Sequence, residues 1–217
     1  NFFVHTPANG SVQSQYYYVI VNSNGGALQS VPSNTLRSVY MNLVYTGNGV
    51  VSLSWNATQT PLLPSASNTY TLSREFPAGT WTPIYTGSNL SYKDTIYHCT
   101  INYNYKVETS DAMGCVSQSN IKGGVFNNKQ PPNPPSLDSI SVNPNGSITL
   151  GWQPSNSIDA VNYFIYSFNG VTYTQIGSVT GGATTFFTYT NSAANSGSES
   201  YCIAASDSCG NICIPTV

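Results

Sequence analysis

The chain has 217 residues and a mass of 23.2 kDa, enough for about two domains of ordinary size that each bury a core. Only 6% of its residues are charged, and the net charge of −2 is spread without a run of one sign. That balance excludes the basic footprint of a nucleic-acid binder and the basic face of a membrane-surface helix, and no apolar stretch approaches the roughly 18 residues of a helical membrane span.

No leader pattern opens the sequence, and a start at Asn1 is expected of a processed chain or a fragment. In chain order, residues 16–21, 50–55, 69–72, 103–107, 148–152, 163–166 and 186–189 are short runs of β-branched and aromatic residues. Most are bounded by Gly, Pro, Asn or Ser, and no segment of 3.6-residue period separates them. The pattern predicts an all-β chain of tandem antiparallel β-sandwiches, each of about seven strands.

Two segments repeat 97 residues apart: Asn-Gly-Val-Val-Ser-Leu-Ser-Trp ending at Trp55 and Asn-Gly-Ser-Ile-Thr-Leu-Gly-Trp ending at Trp152. Such a period is too long for a solenoid unit and fits separate small domains. Later in each unit, Tyr105, Val107, Thr109, Asp111 and Gly114 match Tyr201, Ile203, Ala205, Asp207 and Gly210 at an offset of 96. Tyr17, Val19, Val21, Ser23 and Gly26 hold the same spacings a third time, with no tryptophan-bearing half before them. Gln-Pro-Pro-Asn-Pro-Pro at 130–135 cannot continue a strand ladder and reads as a semi-rigid joint. The expected division is therefore 1–34 as the last strands of a preceding repeat, then sandwiches over 35–130 and 131–217. A lone hairpin is marginal in water, so residues 1–34 need support from elsewhere.

The order of Trp55 or Trp152, then Tyr-X-Ile/Val-X-Ala/Thr, then a turn with Asp and Gly resembles fibronectin type III domains. The resemblance implies that Trp55 and Trp152 mark the cores and that Tyr105 and Tyr201 form tyrosine corners, with Tyr17 as the matching core marker of the partial repeat. Tyr-Cys-Ile-Ala-Ala-Ser-Asp-Ser-Cys-Gly-Asn at 201–211 and Ser-Asp-Ala-Met-Gly-Cys at 110–115 resemble repeats of large secreted surface proteins of gliding bacteria, exported by the type IX system. That resemblance implies an extracellular, cell-surface location, and five cysteines with four Asn-X-Ser/Thr sequons, at Asn9, Asn56, Asn89 and Asn145, suit an oxidising setting.

Cys99 precedes one penultimate strand and Cys115 follows the next turn, which predicts a bridge across the hairpin end; closing about 15 residues contributes about 3 kcal/mol in the chain-entropy model. In the last domain the resemblance favours Cys202 with Cys209, while hairpin registry also allows Cys202 with Cys213. One thiol of the three remains, free or paired with another chain.

No metal or cofactor is expected, because the three late cysteines have no histidine or fourth cysteine nearby, and Asp111, Asp138, Asp159 and Asp207 stand singly. Asp111 and Asp207 read as turn residues bonding their own backbone. His5 and His98 are the only histidines, and no nucleophile elbow or close carboxylate pair is present, so the chain is expected not to be an enzyme. Among sixteen tyrosines and three tryptophans, Trp81 aligns with Tyr173. Packing is the simpler reading of that pair, and stacking on sugar rings is the functional one. Asp-Thr-Ile at 94–96 and Asp-Ser-Ile at 138–140 resemble O-glycan attachment sites of such bacteria, which implies Thr95 and Ser139 as glycosylated residues.

These features predict a non-catalytic stalk or spacer of a cell-surface adhesin. The alternatives are a subunit of an extracellular filament completed by strand exchange and an accessory spacer or sugar-binding module of a polysaccharide-degrading enzyme. The expected partners are other domains of the same chain or identical subunits, and glycans or cell-surface ligands, with neither nucleic acid nor membrane insertion.

Overall fold

In Val-Val-Ser-Leu-Ser-Trp, apolar and hydroxyl-bearing residues alternate, and a strand sends alternate side chains to opposite faces. In the computed structural model, which describes residues 4–6, 9–59 and 66–215, Val51, Leu53 and Trp55 accordingly face a core while Ser52 and Ser54 face outward. The chain forms two units: Asn1–Thr46 with Val50–Thr95 and Ile101–Phe126, and Gly47–Gly49 with Ile96–Thr100 and Asn127–Val217.

Four two-residue strands open the first unit: β1 (Tyr16–Tyr17), β2 (Asn22–Ser23), β3 (Leu28–Gln29) and β4 (Leu36–Arg37). Next come β5 (Met41–Tyr45), β6 (Val50–Trp55), β7 (Ala66–Glu75), β8 (Trp81–Gly87), β9 (Ser91–Thr95), β10 (Asn102–Asp111), β11 (Val116–Gln118) and β12 (Lys122–Val125). One sheet runs β5-β6-β9; the other runs β11-β10-β7-β8, with β12 also on β10, all antiparallel. The last strand of this sandwich is thus broken in two around residues 119–121.

The break has its own hydrogen bonds. Ser119 Oγ accepts the Val107 N–H at 2.9 Å, and the Ser119 N–H donates to the Val107 carbonyl at 2.8 Å. Asn120 stands in for backbone: its Oδ1 accepts the Met41 N–H at 2.7 Å and its Nδ2 donates to the Met41 carbonyl at 3.1 Å. Beyond it, a Cβ at Gly123 would strike the Tyr103 carbonyl, so only glycine lets β12 lie this close to β10.

Met41, Val51, Leu53, Trp55, Tyr70, Leu72, Tyr103, Tyr105 and Val107 fill the space between the two sheets. Trp55 packs 6.2 Å from both Tyr70 and Tyr85, and Phe126 meets Tyr45, Tyr103 and Tyr105.

The second unit holds β13 (Ser136–Val142), β14 (Ile148–Gln153), β15 (Ala160–Phe168), β16 (Tyr173–Thr180), β17 (Phe186–Tyr189) and β18 (Ser200–Asp207). Its sheets run β13-β14-β17 and β16-β15-β18, again antiparallel. Ile148, Leu150, Trp152, Tyr163, Ile165, Tyr201, Ile203 and Ala205 make the core, with Trp152 5.4 Å from Tyr163. Gly177 lies under the Phe187 ring, where any Cβ would collide with it.

Residues 15–38 form a hairpin that continues the first unit. β2 pairs with β3, the Ser30 and Ser33 N–H groups donate to the Val21 and Val19 carbonyls at 2.8 Å, and β1 pairs with β4. Tyr17, expected in a core, is instead 39% exposed, and Val19 and Val21 are 65% exposed. The reason is topological: the described residues supply this hairpin with no facing sheet.

Candidate functional site

Sequence and turn chemistry build the same corner twice. In each full sandwich an Asp ends the penultimate strand, and a Gly three residues later takes positive φ, 83° at both Gly114 and Gly210. Asp111 Oδ1 accepts the N–H groups of Met113 and Cys115 at 2.9 and 2.8 Å; Asp207 Oδ1 accepts those of Cys209 and Asn211 at the same distances. The carboxylate thereby ties the turn to its own strand end.

The two turns differ at their second position. Met113, at that position in the first turn, is 87% exposed. The second turn carries Cys209 there, and it is bonded to Cys99, with the two Cα atoms 5.1 Å apart. Cys99 lies in the segment Ile96–Thr100, which belongs to the second unit.

Polar contacts within that unit surround the bond. Ser208 Oγ donates to the Tyr97 carbonyl at 3.3 Å, and Asn211 Nδ2 donates to the Asn128 carbonyl at 2.9 Å and to Asp207 Oδ2 at 2.7 Å. Asn128 Nδ2 in turn donates to Asp159 Oδ2 at 3.1 Å. Closing a loop of about 110 residues contributes between 4 and 5 kcal/mol, roughly, in the chain-entropy model.

This pairing corrects both expected bridges. Cys99 lies before β10 and Cys115 lies beyond its other end, so the ten residues of β10 hold them roughly 30 Å apart. Cys202 and Cys209 fail likewise, since Asp207 lies five steps along the strand from Cys202, roughly 17 Å, where a disulfide needs Cα atoms within about 7 Å. The Cys202–Cys213 alternative fails on register: Cys213 lies opposite Ala205, donating its N–H to the Ala205 carbonyl at 3.0 Å and accepting the Ala205 N–H on Sγ at 3.1 Å. Cys115 is an exposed thiol, and Cys202 and Cys213 are buried thiols whose pKa values burial pushes up, which keeps them protonated and unreactive.

The two late tyrosines are buried, but their hydroxyls do not reach back to a backbone carbonyl as a tyrosine corner would. Tyr105 OH donates to Asp94 Oδ2 at 2.8 Å, and Arg74 Nη1 donates to both oxygens of the same carboxylate at 3.1 and 2.9 Å. Burial, then the Asp94 charge, pushes the Tyr105 phenol far above its usual range. Tyr201 OH donates to Glu199 Oε2 at 2.5 Å; burial and this bond push it up to about 12. Hydrogen bonds from Ser192 and then Tyr201 lower the Glu199 pKa.

Trp55 and Trp152 lie in the two cores. Trp81 is half-buried at the start of β8 with the Lys106 ammonium 5.1 Å over its ring, and Tyr173 stacks on Phe168 at 4.7 Å. Both rings therefore already have a partner on one face. Thr95 and Ser139 are exposed. Asn56, one of the four sequon residues, has its amide engaged, accepting the Tyr40 N–H at 2.9 Å and donating to the Ser38 and Ala57 carbonyls.

His5 lies 6.0 Å from Tyr17 in the first unit, whereas His98 belongs to the second. Among the described residues, no three of His, Cys, Asp or Glu gather as metal ligands, and no helix is long and apolar enough to cross a membrane.

No family model and no curated protein sequence matches the chain. Among solved structures it is similar to the FN1–FN3 domains of chicken CNTN1, at 15% identity and a TM-score of 0.35, over 93% of this chain and 75% of that one. It is also similar to a two-domain fibronectin type III segment of chicken tenascin, at 16% identity and a TM-score of 0.46, over 81% of this chain and 94% of that one. The strand orders define the class: tandem antiparallel β-sandwiches.

Proposed function

We propose that the chain is a non-catalytic segment of an extracellular repeat array, the stalk or spacer of a cell-surface adhesin that carries a distal binding domain. One observation carries the reading, a hydrogen-bond pattern shared by four residue pairs in three stretches of the chain. Val19 with Ser33 repeats the bonding of Val107 with Ser119, and Val21 with Ser30 repeats that of Ala205 with Cys213: an N–H to the side chain, and an N–H back to the carbonyl. Residues 1–34 are then the closing hairpin of a further repeat, ahead of sandwiches at 35–130 and 131–217.

Export by the type IX system of a gliding bacterium, a cell-surface location and O-glycans on Thr95 and Ser139 belong to the same reading. The resemblance of residues 110–115 and 201–211 to such surface proteins supports it. The neighbours that such an array offers are its own adjoining domains, with glycans or cell-surface ligands met at its tip.

The deciding measurement is the denatured mass of the native polypeptide that contains this sequence. A mass several times 23.2 kDa is expected. A mass near that value, or a hydrolytic activity abolished by a point mutation in this segment, would sink the stalk.

A second reading is a filament subunit, favoured by the uncovered face of Tyr17, Val19 and Val21, which strands of an identical subunit would cover. It requires the isolated chain to self-associate at high concentration. The sugar-binding alternative requires saturable glycan binding that is lost in Trp81→Ala.

A further inference from the structure

The Cys99–Cys209 bond joins residues 110 positions apart, and what lies between them is decided by chain order. Strands β10, β11 and β12 of the first sandwich and β13 to β18 of the second are all inside the covalent loop. Strands β5 to β9 are outside it. Tension entering the chain before Cys99 and leaving after Cys209 runs through the sulfur–sulfur bond, because hydrogen-bonded ladders yield long before a covalent bond does.

We infer that this disulfide is a load-path device. It takes the second sandwich out of the line of tension and splits the first between a loaded part, β5 to β9, and a shielded part, β10 to β12. The split runs through one sheet along the β7–β10 ladder, from Asn104 opposite Glu75 to Asp111 opposite Ala66.

Side-chain fastenings cross the same boundary. Tyr105, on the shielded side, donates to Asp94, which with its partner Arg74 is on the loaded side. Asn120, also shielded, bonds both backbone groups of Met41 on loaded β5. A buried phenol and a side-chain amide thus pin the strands that tension would peel away.

The inference rests on the stalk reading, since only an array drawn out along its length would use such a bypass. Its test does not depend on that reading. The whole 217-residue chain is held by handles at its two ends in an optical trap and stretched before and after treatment with dithiothreitol, which supplies the two electrons and two protons that convert the disulfide to two thiols.

The oxidised chain is expected to fall short of the reduced one by roughly 360 to 400 Å at full extension, the reach of about 110 residues at 3.3–3.6 Å each. Rupture of the second sandwich is expected only after reduction. Cys209→Ser is expected to match the reduced chain without dithiothreitol. Because extended length counts residues rather than folded domains, this readout survives even if that variant loosens the second sandwich.

Equal lengths before and after reduction would overturn the proposal. So would an increment of roughly 55 Å, the signature of a bond between Cys99 and Cys115, or a second-sandwich rupture in the oxidised chain. Cys115→Ser is expected to leave every record unchanged. If the length increment holds while the native polypeptide proves to be about 23.2 kDa, the stalk reading fails and the bypass stands.

Discussion

The hairpin at residues 15–38 and the strand β18 with its return segment obey the same local chemistry and have opposite surroundings. Val21 and Ala205 each give an N–H to a Ser or Cys side chain and accept an N–H on the carbonyl. Yet Val21 is 65% exposed and Ala205 is fully buried; likewise Val19 is 65% exposed and Ile203 is fully buried. The lesson is that hydrogen bonding between adjacent residues sets the shape of a hairpin, while a facing sheet supplies most of the stabilisation, about 25 cal/mol per Å² of apolar surface removed from water.

The sharpest way to break that comparison is to truncate matched side chains. Ile203→Ala is expected to cost about 2 to 5 kcal/mol in chemical denaturation of the second sandwich, as cavity-forming changes in closed cores do. Val19→Ala in the same chain is expected to cost under about 0.5 kcal/mol, because water already reaches the side chain. A comparable loss at both positions would mean that the hairpin has a covering sheet in solution.

A smaller contrast concerns the serines. Ser119→Ala strands the buried N–H of Val107 and is expected to cost about 1 to 3 kcal/mol. Ser33→Ala leaves the Val19 N–H exposed to solvent, and its effect on the same melt is expected to be near zero. Thermal or urea unfolding of the two variants side by side reads the difference directly.

The charged partner of Tyr105 separates the two full sandwiches. Asp94 is nearly buried, and Asp94→Asn leaves the Arg74 guanidinium, about a quarter exposed, without its counter-charge. A loss of about 1 to 3 kcal/mol is expected, discounted for that exposure. The Glu199→Gln counterpart beside Tyr201, at the surface, is expected to cost much less.

The smallest expected effect is at high pH. Tyr201 is raised to about 12 in the folded chain, so its contribution is complete below the unfolded tyrosine value near 10 and is lost as pH climbs from about 10 to 12. Ultraviolet titration of tyrosinate should show a late-ionising class that merges with the rest when the chain is unfolded. A single titration near pH 10 in the folded chain would contradict the burial described for Tyr105 and Tyr201.

The sequence by itself determined the all-β class and the Asp-to-Gly turns, because each is written in local chemistry: alternation of side chains, breaker residues and positive-φ glycine. The cores around Trp55 and Trp152 follow from the same alternation. Outer strands such as β8, β9 and β16 are hard to read from sequence because edges carry mixed polar residues that alternate weakly.

Only the tertiary structure decided which cysteines meet, what the Tyr105 and Tyr201 hydroxyls bond and whether Tyr17 is covered. The spacing of Cys99 and Cys115 suits a bridge across a hairpin end, yet a ten-residue strand keeps the two apart. Cys209 aligns with Met113 at the same position of its turn, but nothing local tells which distant segment meets it. Disulfide partners, buried ion pairs and covered faces depend on how far-apart segments approach, and that approach is set by the packing of sheets.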